Sequence, residues 1–304
     1  MDAALDLTKL RTLVEIRAGG SMTAAAAALG YTTGAVSQQM AALQRSVRTE
    51  LFIQVGRRVQ LTDAGHLLAD HAVDLLALAR RTEQALAGLP GRPRGRVLVG
   101  VFGTAAAALL PRAVARIRQQ SPGVRLHSVE VDVDDATSSV AVGRVDLAFG
   151  VDYPQAPVPR AADVALAVLG TESFSLAIGA GRSAPLGRAS LQDFADDAWI
   201  LPPEHTSYGR AVRMACRRLD FEPRVEHTVT DTASTLALVA AGLGVAPITD
   251  LMLTLRREGL VTVPLTDRME RTMVLAHRRQ PAPQPAVKAV IDAVQDSMAV
   301  SAPG

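Results

Sequence analysis

The stretch Gly88-Leu89-Pro90-Gly91-Arg92-Pro93-Arg94-Gly95 constrains this chain more than any other, because its repeated glycine and proline leave no regular hydrogen-bond ladder. Apolar residues recur at helical spacing before it. After it, apolar runs alternate between strand and helix patterns. At 304 residues the chain exceeds what one ordinary core supports. With 48% apolar and 20% charged residues and no low-complexity block, it reads as folded throughout. The expected domains are 1–62, a connecting helix and hinge at 63–91, and 92–304.

Composition removes several function classes. Only Lys9 and Lys288 are lysines, and neither lies in a phosphate-cradling GxxxxGK run. No GxSxG, no HExxH and no GxGxxG after a strand is present, and the six histidines are scattered. Neither catalysis, a metal nor a cofactor is expected. The first twenty residues carry Asp2, Asp6, Lys9, Arg11, Glu15 and Arg17 and no apolar leader-like run, so a cytoplasmic protein without membrane contact is expected. Cys216 is the single cysteine, read either as a small buried hydrophobe or as a reactive thiol.

The net charge of +2 does not make the chain a polycation, but its distribution is uneven. Residues 1–62 hold Lys9, Arg11, Arg17, Arg45, Arg48, Arg57 and Arg58 against Asp2, Asp6, Glu15 and Glu50, a net +3, while the rest has 25 bases against 26 acids. Leu10, Leu13 and Val14 share one helical face, and Gly19-Gly20 ends that helix before Ser21 caps a second, Met22 to Leu29. Gly30 turns the chain. Thr32 or Thr33 caps a third helix, in which Val36, Met40, Leu43 and Val47 form one apolar stripe. The opposite side carries Gly34, Gln38, Ala41 and Arg45, with Ser37 beside them. A helix entering a major groove needs short residues and hydrogen-bonding tips of this kind, whereas a plain helical hairpin, the alternative, more often shows Glu–Lys pairs.

Leu51 to Thr62 reads as two short strands around a Gly56-Arg57-Arg58 tip, a wing placed to reach phosphate or a minor groove. Ser21 to Leu29, Thr32 to Met40, Leu51-Phe52, Arg57 and Leu61-Thr62-Asp63-Ala64-Gly65 together resemble, in order and without gaps, the signature of the LysR-type transcriptional regulators. The resemblance implies a winged helix-turn-helix with DNA contacts from Thr32, Thr33, Ser37, Gln38 and Arg57. The basic side chains of Arg45 and Arg58 add phosphate contacts. Gly34, Gln38 and Gln54 depart from the proline, arginine and wing base frequent in that family, which leaves the operator sequence open.

A long helix is expected from Ala64 to about Gly88, capped by Thr62. Leu68, Ala72, Leu75, Ala79, Thr82, Leu86 and Leu89 repeat along it in steps of four and three, either as a heptad seam or as the core face of one amphipathic helix. The resemblance implies that this helix pairs with a second copy, in a homodimer or homotetramer.

Beyond the hinge, the pattern runs strand (Val97 to Phe102), helix (Ala105 to Gln120), strand (Val124 to Val131), helix (Ala136 to Gly143), strand (Asp146 to Val151). This α/β alternation predicts a parallel, doubly wound sheet. A second set holds strands at Phe174 to Ile178, Trp199 to Leu201, Val225 to Val229 and Val245 to Ile248, with helices at Tyr208 to Leu219 and Thr232 to Ala241. Thr272 to Leu275 and a helix from Gln284 to Met298 return to the first lobe. The lobes expected are 92–163 with 269–304, and 164–268. Ligands gather at the carboxyl ends of strands and at helix N-termini, which nominates Thr104, Thr206, Ser207, Tyr208, Asp231 and Thr232. Each hydroxyl has the alternative role of capping its own helix. Such a site suits a small organic acid or amino acid. The Leu236 to Pro247, Leu110-Pro111 and Asp146-Leu147-Ala148 stretches also resemble the LysR-type effector domain, which implies a periplasmic-binding-protein-like fold.

The expected function is therefore transcriptional regulation through double-stranded DNA, tuned by a small-molecule effector, with RNA polymerase as a further partner. A solute-binding protein or metabolic enzyme with an N-terminal oligomerisation module is the rival reading.

Overall fold

In the computed structural model, which describes residues 5–55, 58–87, 93–154, 157, 162–279 and 284–299, the chain divides into two units, the first ending at Ala87 but also taking in Val142–Arg144. The first is built from short-range signals. Asp6 accepts the Thr8 N–H at 2.8 Å and opens helix α1 (Leu7–Gly19), which Gly20 ends in the left-handed conformation at φ 67°. Ser21 caps α2 (Met22–Leu29), and Gly30 ends it at φ 69°. Thr32, not Thr33, caps α3 (Thr33–Val47), accepting the Ala35 N–H at 3.2 Å. Strands β1 (Phe52–Val55) and β2 (Arg58–Leu61) form an antiparallel hairpin. The Thr62 hydroxyl accepts the Gly65 N–H at 3.0 Å and starts α4 (Asp63–Ala87).

Leu10, Leu13, Ile16, Val36, Met40 and Leu43 close the core of this unit with Leu51, Ala69 and Ala72 of the wing and α4. On α4 the periodic row divides between its two alternatives. Ala72 is buried and Leu68 half-buried against the unit's own core, so the first two seam positions are used within the chain. Leu75 of the same row is exposed, as are Leu67 at 60% and Leu78 at 54% outside it. The seam residue Leu89 lies outside the described residues.

The second unit contains two sheets. The first has the order β4 (Val124–Glu130), β3 (Gly95–Val101), β5 (Leu147–Asp152), β12 (Glu270–Arg278), β6 (Val164–Ser173). Helices α5 (Gly103–Ala108), α6 (Leu110–Gln120) and α7 (Ala136–Ala141) occupy its connections, and α10 (Pro285–Ala299) packs on it. The single helix expected over 105–120 breaks at Leu109, just before Pro111, which has no N–H to continue the ladder. In the second sheet, β7 (Ser175–Gly179) pairs antiparallel with β10 (Ala246–Ile248) and β11 (Leu260–Pro264). Strands β8 (Ala198–Leu201) and β9 (Arg224–Thr228) pair in parallel and join through a bridge from Trp199 to Val245. Helices α8 (Ser207–Arg217) and α9 (Thr232–Ala240) complete this lobe.

Two expectations change. The first sheet is mixed rather than parallel: β3 runs with β4 and β5, but β12 is antiparallel to both β5 and β6. A strand returning from the other lobe arrives in the opposite direction, and βα periodicity carries no record of that. The lobe boundary also falls at Phe174 rather than 164, because Val164 to Ser173 pairs with Arg278 to Glu270 as the edge of the first sheet. The two segments that cross between lobes touch where the Phe174 N–H donates to the Met269 carbonyl at 2.9 Å.

Candidate nucleic-acid interface and effector cleft

Helix α3 separates its faces cleanly. Val36, Met40 and Leu43 are buried, whereas Thr32, Thr33, Gly34, Ser37, Gln38 and Arg45 are exposed. The outer face is therefore slim, and its long side chains end in an amide and a guanidinium, groups that bond base edges and phosphates respectively. Arg58 lies in β2 opposite Val55, while Arg57 lies outside the described residues.

The three glutamines of α3 that structure distinguishes have separate roles. Gln38 points outward. Gln39 Oε1 accepts from the hydroxyl of the fully buried Thr12 at 2.5 Å, tying α3 to α1. Gln44 Oε1 accepts the N–H groups of Leu51 at 2.8 Å and Phe52 at 3.1 Å, tying the start of the wing to α3. Sequence reasoning missed Gln39 and Gln44, since identical side chains on one helix carry no label of their partners.

In the second unit the six nominated residues divide. Thr206 caps α8, accepting the Gly209 N–H at 3.0 Å while its own O–H donates to the Pro203 carbonyl at 2.7 Å. Ser207 is 4% exposed and Thr104 2% exposed, so neither hydroxyl stands open to solvent. Asp231 caps α9 by accepting the Ser234 N–H at 2.7 Å, and the bonds from Ser234 hold its carboxyl below the usual range. Thr232 is the first residue of that helix. Tyr208 donates its O–H to the Pro247 carbonyl, and its ring stacks with Tyr153 at 6.1 Å and Phe174 at 5.8 Å. The capping alternative thus describes Thr206 and Asp231, and the structure brings only Thr206, Ser207 and Tyr208 together.

Around Tyr208 the structure adds residues that were not nominated. Arg271, 5% exposed, donates to Glu172 Oε2 at 2.9 Å and to the Thr249 hydroxyl at 2.7 Å, and its guanidinium lies 5.8 Å from the centre of the Phe174 ring. Glu172 accepts the Leu251 N–H at 3.0 Å as well, so both charges are satisfied where water is scarce. Burial pushes the Tyr153 hydroxyl up to about 12 despite the nearby Arg271 charge. From the first lobe, Asp134 in the turn after β4 accepts the Ser207 N–H at 2.9 Å. Asp134 follows the end of β4 and was not nominated, although the same rule of strand ends and helix starts had picked out Asp231. A cavity of about 420 Å³ between β7 and the end of α9, lined by Ile178, Arg182, Asp197, Gly242 and Val245 among others, includes none of the six.

Cys216 is buried, and desolvation raises its thiol to about 12, which disfavours the thiolate. Among the described residues no helix is long and apolar enough to cross a membrane, and no cluster of three or more His, Cys, Asp or Glu could hold a metal.

Residues 7–66 match the bacterial regulatory helix-turn-helix model of the lysR family, and residues 90–299 match the LysR substrate binding domain. A probable RuBisCO transcriptional regulator from Trichormus variabilis is 37% identical over 148 residues, 49% of this chain and 44% of its own, so the match spans less than half of that relative. A probable cat1 operon transcriptional activator from Acinetobacter lwoffii is 26% identical over 90% of both chains. The crystal structure of CbnR, a LysR family transcriptional regulator, superposes with a TM-score of 0.71 at 21% identity, covering 96% of this chain and 99% of its own. The structure of full-length CbnR complexed with its target DNA gives the same score. With both of its units matched, from the capped helices of the head to the two sheets of the second unit, the chain belongs to the LysR family of bacterial helix-turn-helix regulators.

Proposed function

We propose that this chain is a cytoplasmic transcriptional regulator that reads double-stranded DNA with α3 and the wing and responds to a small molecule taken up by the second unit. The observation that carries the reading is the division of α3 into a buried apolar stripe and an exposed face of Thr33, Ser37, Gln38 and Arg45. On this reading Ser37 and Gln38 meet base edges, Thr32 and Thr33 meet bases or backbone, and Arg45, Arg57 and Arg58 neutralise phosphates. The relatives are named as transcriptional regulators, and CbnR has been seen on DNA. The exposed Leu67, Leu75 and Leu78 of α4 supply an apolar face for pairing with a second copy. Two linked heads then bind paired half-sites, the second head at high effective concentration. The proposed effector is an organic acid or amino acid bound near the start of α8, and RNA polymerase is the partner on which regulation acts. A ligand regulates only if it binds the two lobe arrangements with different affinity.

The test is the affinity of the full chain for duplex DNA as a function of salt. Each phosphate neutralised contributes a slope of about −0.9 in log K against log salt. A steep loss of affinity is expected, and a weak signal that ignores salt would instead favour a protein whose cleft acts without DNA.

A further inference from the structure

One hydrogen bond between the lobes of the second unit bridges 73 positions of sequence. Asp134 lies on the short turn Val133–Asp135, which follows β4 of the first sheet. Its Oδ2 accepts the N–H of Ser207, the first residue of α8 in the other lobe, at 2.9 Å. The first N–H groups of a helix have no intrahelical partner and form its positive end, so a carboxylate there meets both a donor and a favourable dipole. Thr206 already serves the third N–H of the same turn, which leaves the first for a group from outside the helix. The contact is not isolated. Tyr208, the next residue, stacks with Tyr153 from the end of β5 and with Phe174 at the crossover between lobes.

We propose that Asp134 and the α8 N-terminus form a clasp that holds the two lobes of the second unit together. The clasp goes beyond the regulatory reading, because it is a property of the second unit whatever that unit binds. Opening the lobes breaks a charge-assisted bond and exposes a helix end, so the clasp biases the domain toward closure until something else satisfies the Ser207 N–H.

Two variants test it from opposite sides. Asp134→Ala removes the acceptor. Ser207→Pro removes the donor without disturbing the helix, since proline suits the first helical position and Thr206, at φ −74° and ψ 149°, already holds the conformation that precedes proline. Hydrogen exchange of the full chain is read at two amides bonded elsewhere: Asp135 N–H, which bonds Asp132, and Phe174 N–H, which bonds Met269 at the crossover. Both amides are expected to exchange about ten-fold faster in either variant, with the double variant no faster than the faster single one. Protection retained from Val212 to Arg217 shows that α8 is intact; if Ser207→Pro loses it, Asp134→Ala alone decides. Unchanged exchange at Phe174 in the variants that keep α8 would reduce the contact to a helix cap and overturn the clasp, as would effects that multiply in the double variant.

Discussion

The Cα of Gly65 packs against the carbonyl oxygen of Leu51 so closely that a Cβ at residue 65 would overlap it, and would come within 2.9 Å of the Leu61 side chain. This close approach seats α4 on the wing, where the Thr62 N–H also donates to the Leu51 carbonyl at 3.0 Å. In an ordinary helix, glycine to alanine gains about 1 kcal/mol. Here Gly65→Ala is expected to destabilise by about 1–3 kcal/mol, because the neighbour is backbone and cannot rotate away. Thermal melting reads the sign, and a stabilised variant would contradict the packing.

Gln44 joins the recognition helix to the wing through two N–H donors. Gln44→Met keeps the volume but leaves those donors without their acceptor, at a cost of about 1–3 kcal/mol. Gln44→Glu retains an oxygen and should recover most of the loss. DNA affinity is expected to fall in the Met variant more than stability alone explains, because the wing loses its anchor; equal affinity for both variants would show that the wing does not depend on Gln44.

On the proposed interface, Ser37 and Arg57 differ in kind. Ser37→Ala should narrow the affinity gap between specific and unrelated duplexes, by about 1–3 kcal/mol if the hydroxyl meets a base. Arg57→Ala should weaken binding to all duplexes and lower the salt slope by about one contact. Binding to a panel of duplexes at several salt concentrations separates the two. Matching profiles would refute the division of roles.

Cys216 and Tyr153 both keep their protons longer in the folded state than the ordinary values of 9.0 and 10.0 allow, each rising to about 12 through burial. Raised values mean that the unfolded chain releases these protons first as pH increases. Stability from this source is therefore complete below about pH 9 and is lost progressively toward pH 12. Melting temperature measured from pH 8 to 11 should fall, and Cys216→Ala should flatten the early part of that fall. A curve unchanged by the substitution would remove Cys216 from the account.

Much of the head could be read in advance because its signals act over three or four residues. Ser21, Thr32 and Thr62 each accept an N–H three positions on, and Val36, Met40 and Leu43 repeat at the helical period. The seam on α4 was harder to place. Leu68 and Leu75 stand in the same periodic row, yet one packs into the unit's own core and the other is exposed. Periodicity identifies an apolar face without saying whether the same chain covers it.

From the order of residues alone came the helices of the head, the caps at Ser21 and Thr62, the hairpin and the α/β character of the second unit, since all of these follow from backbone geometry and side chains close in sequence. Only the folded chain decided the direction of β12, the partner of each glutamine on α3, the pairing of Arg271 with Glu172, and the bond from Ser207 to Asp134. Those depend on which distant segments pack together, and that is settled by burial of the whole core rather than by any local preference.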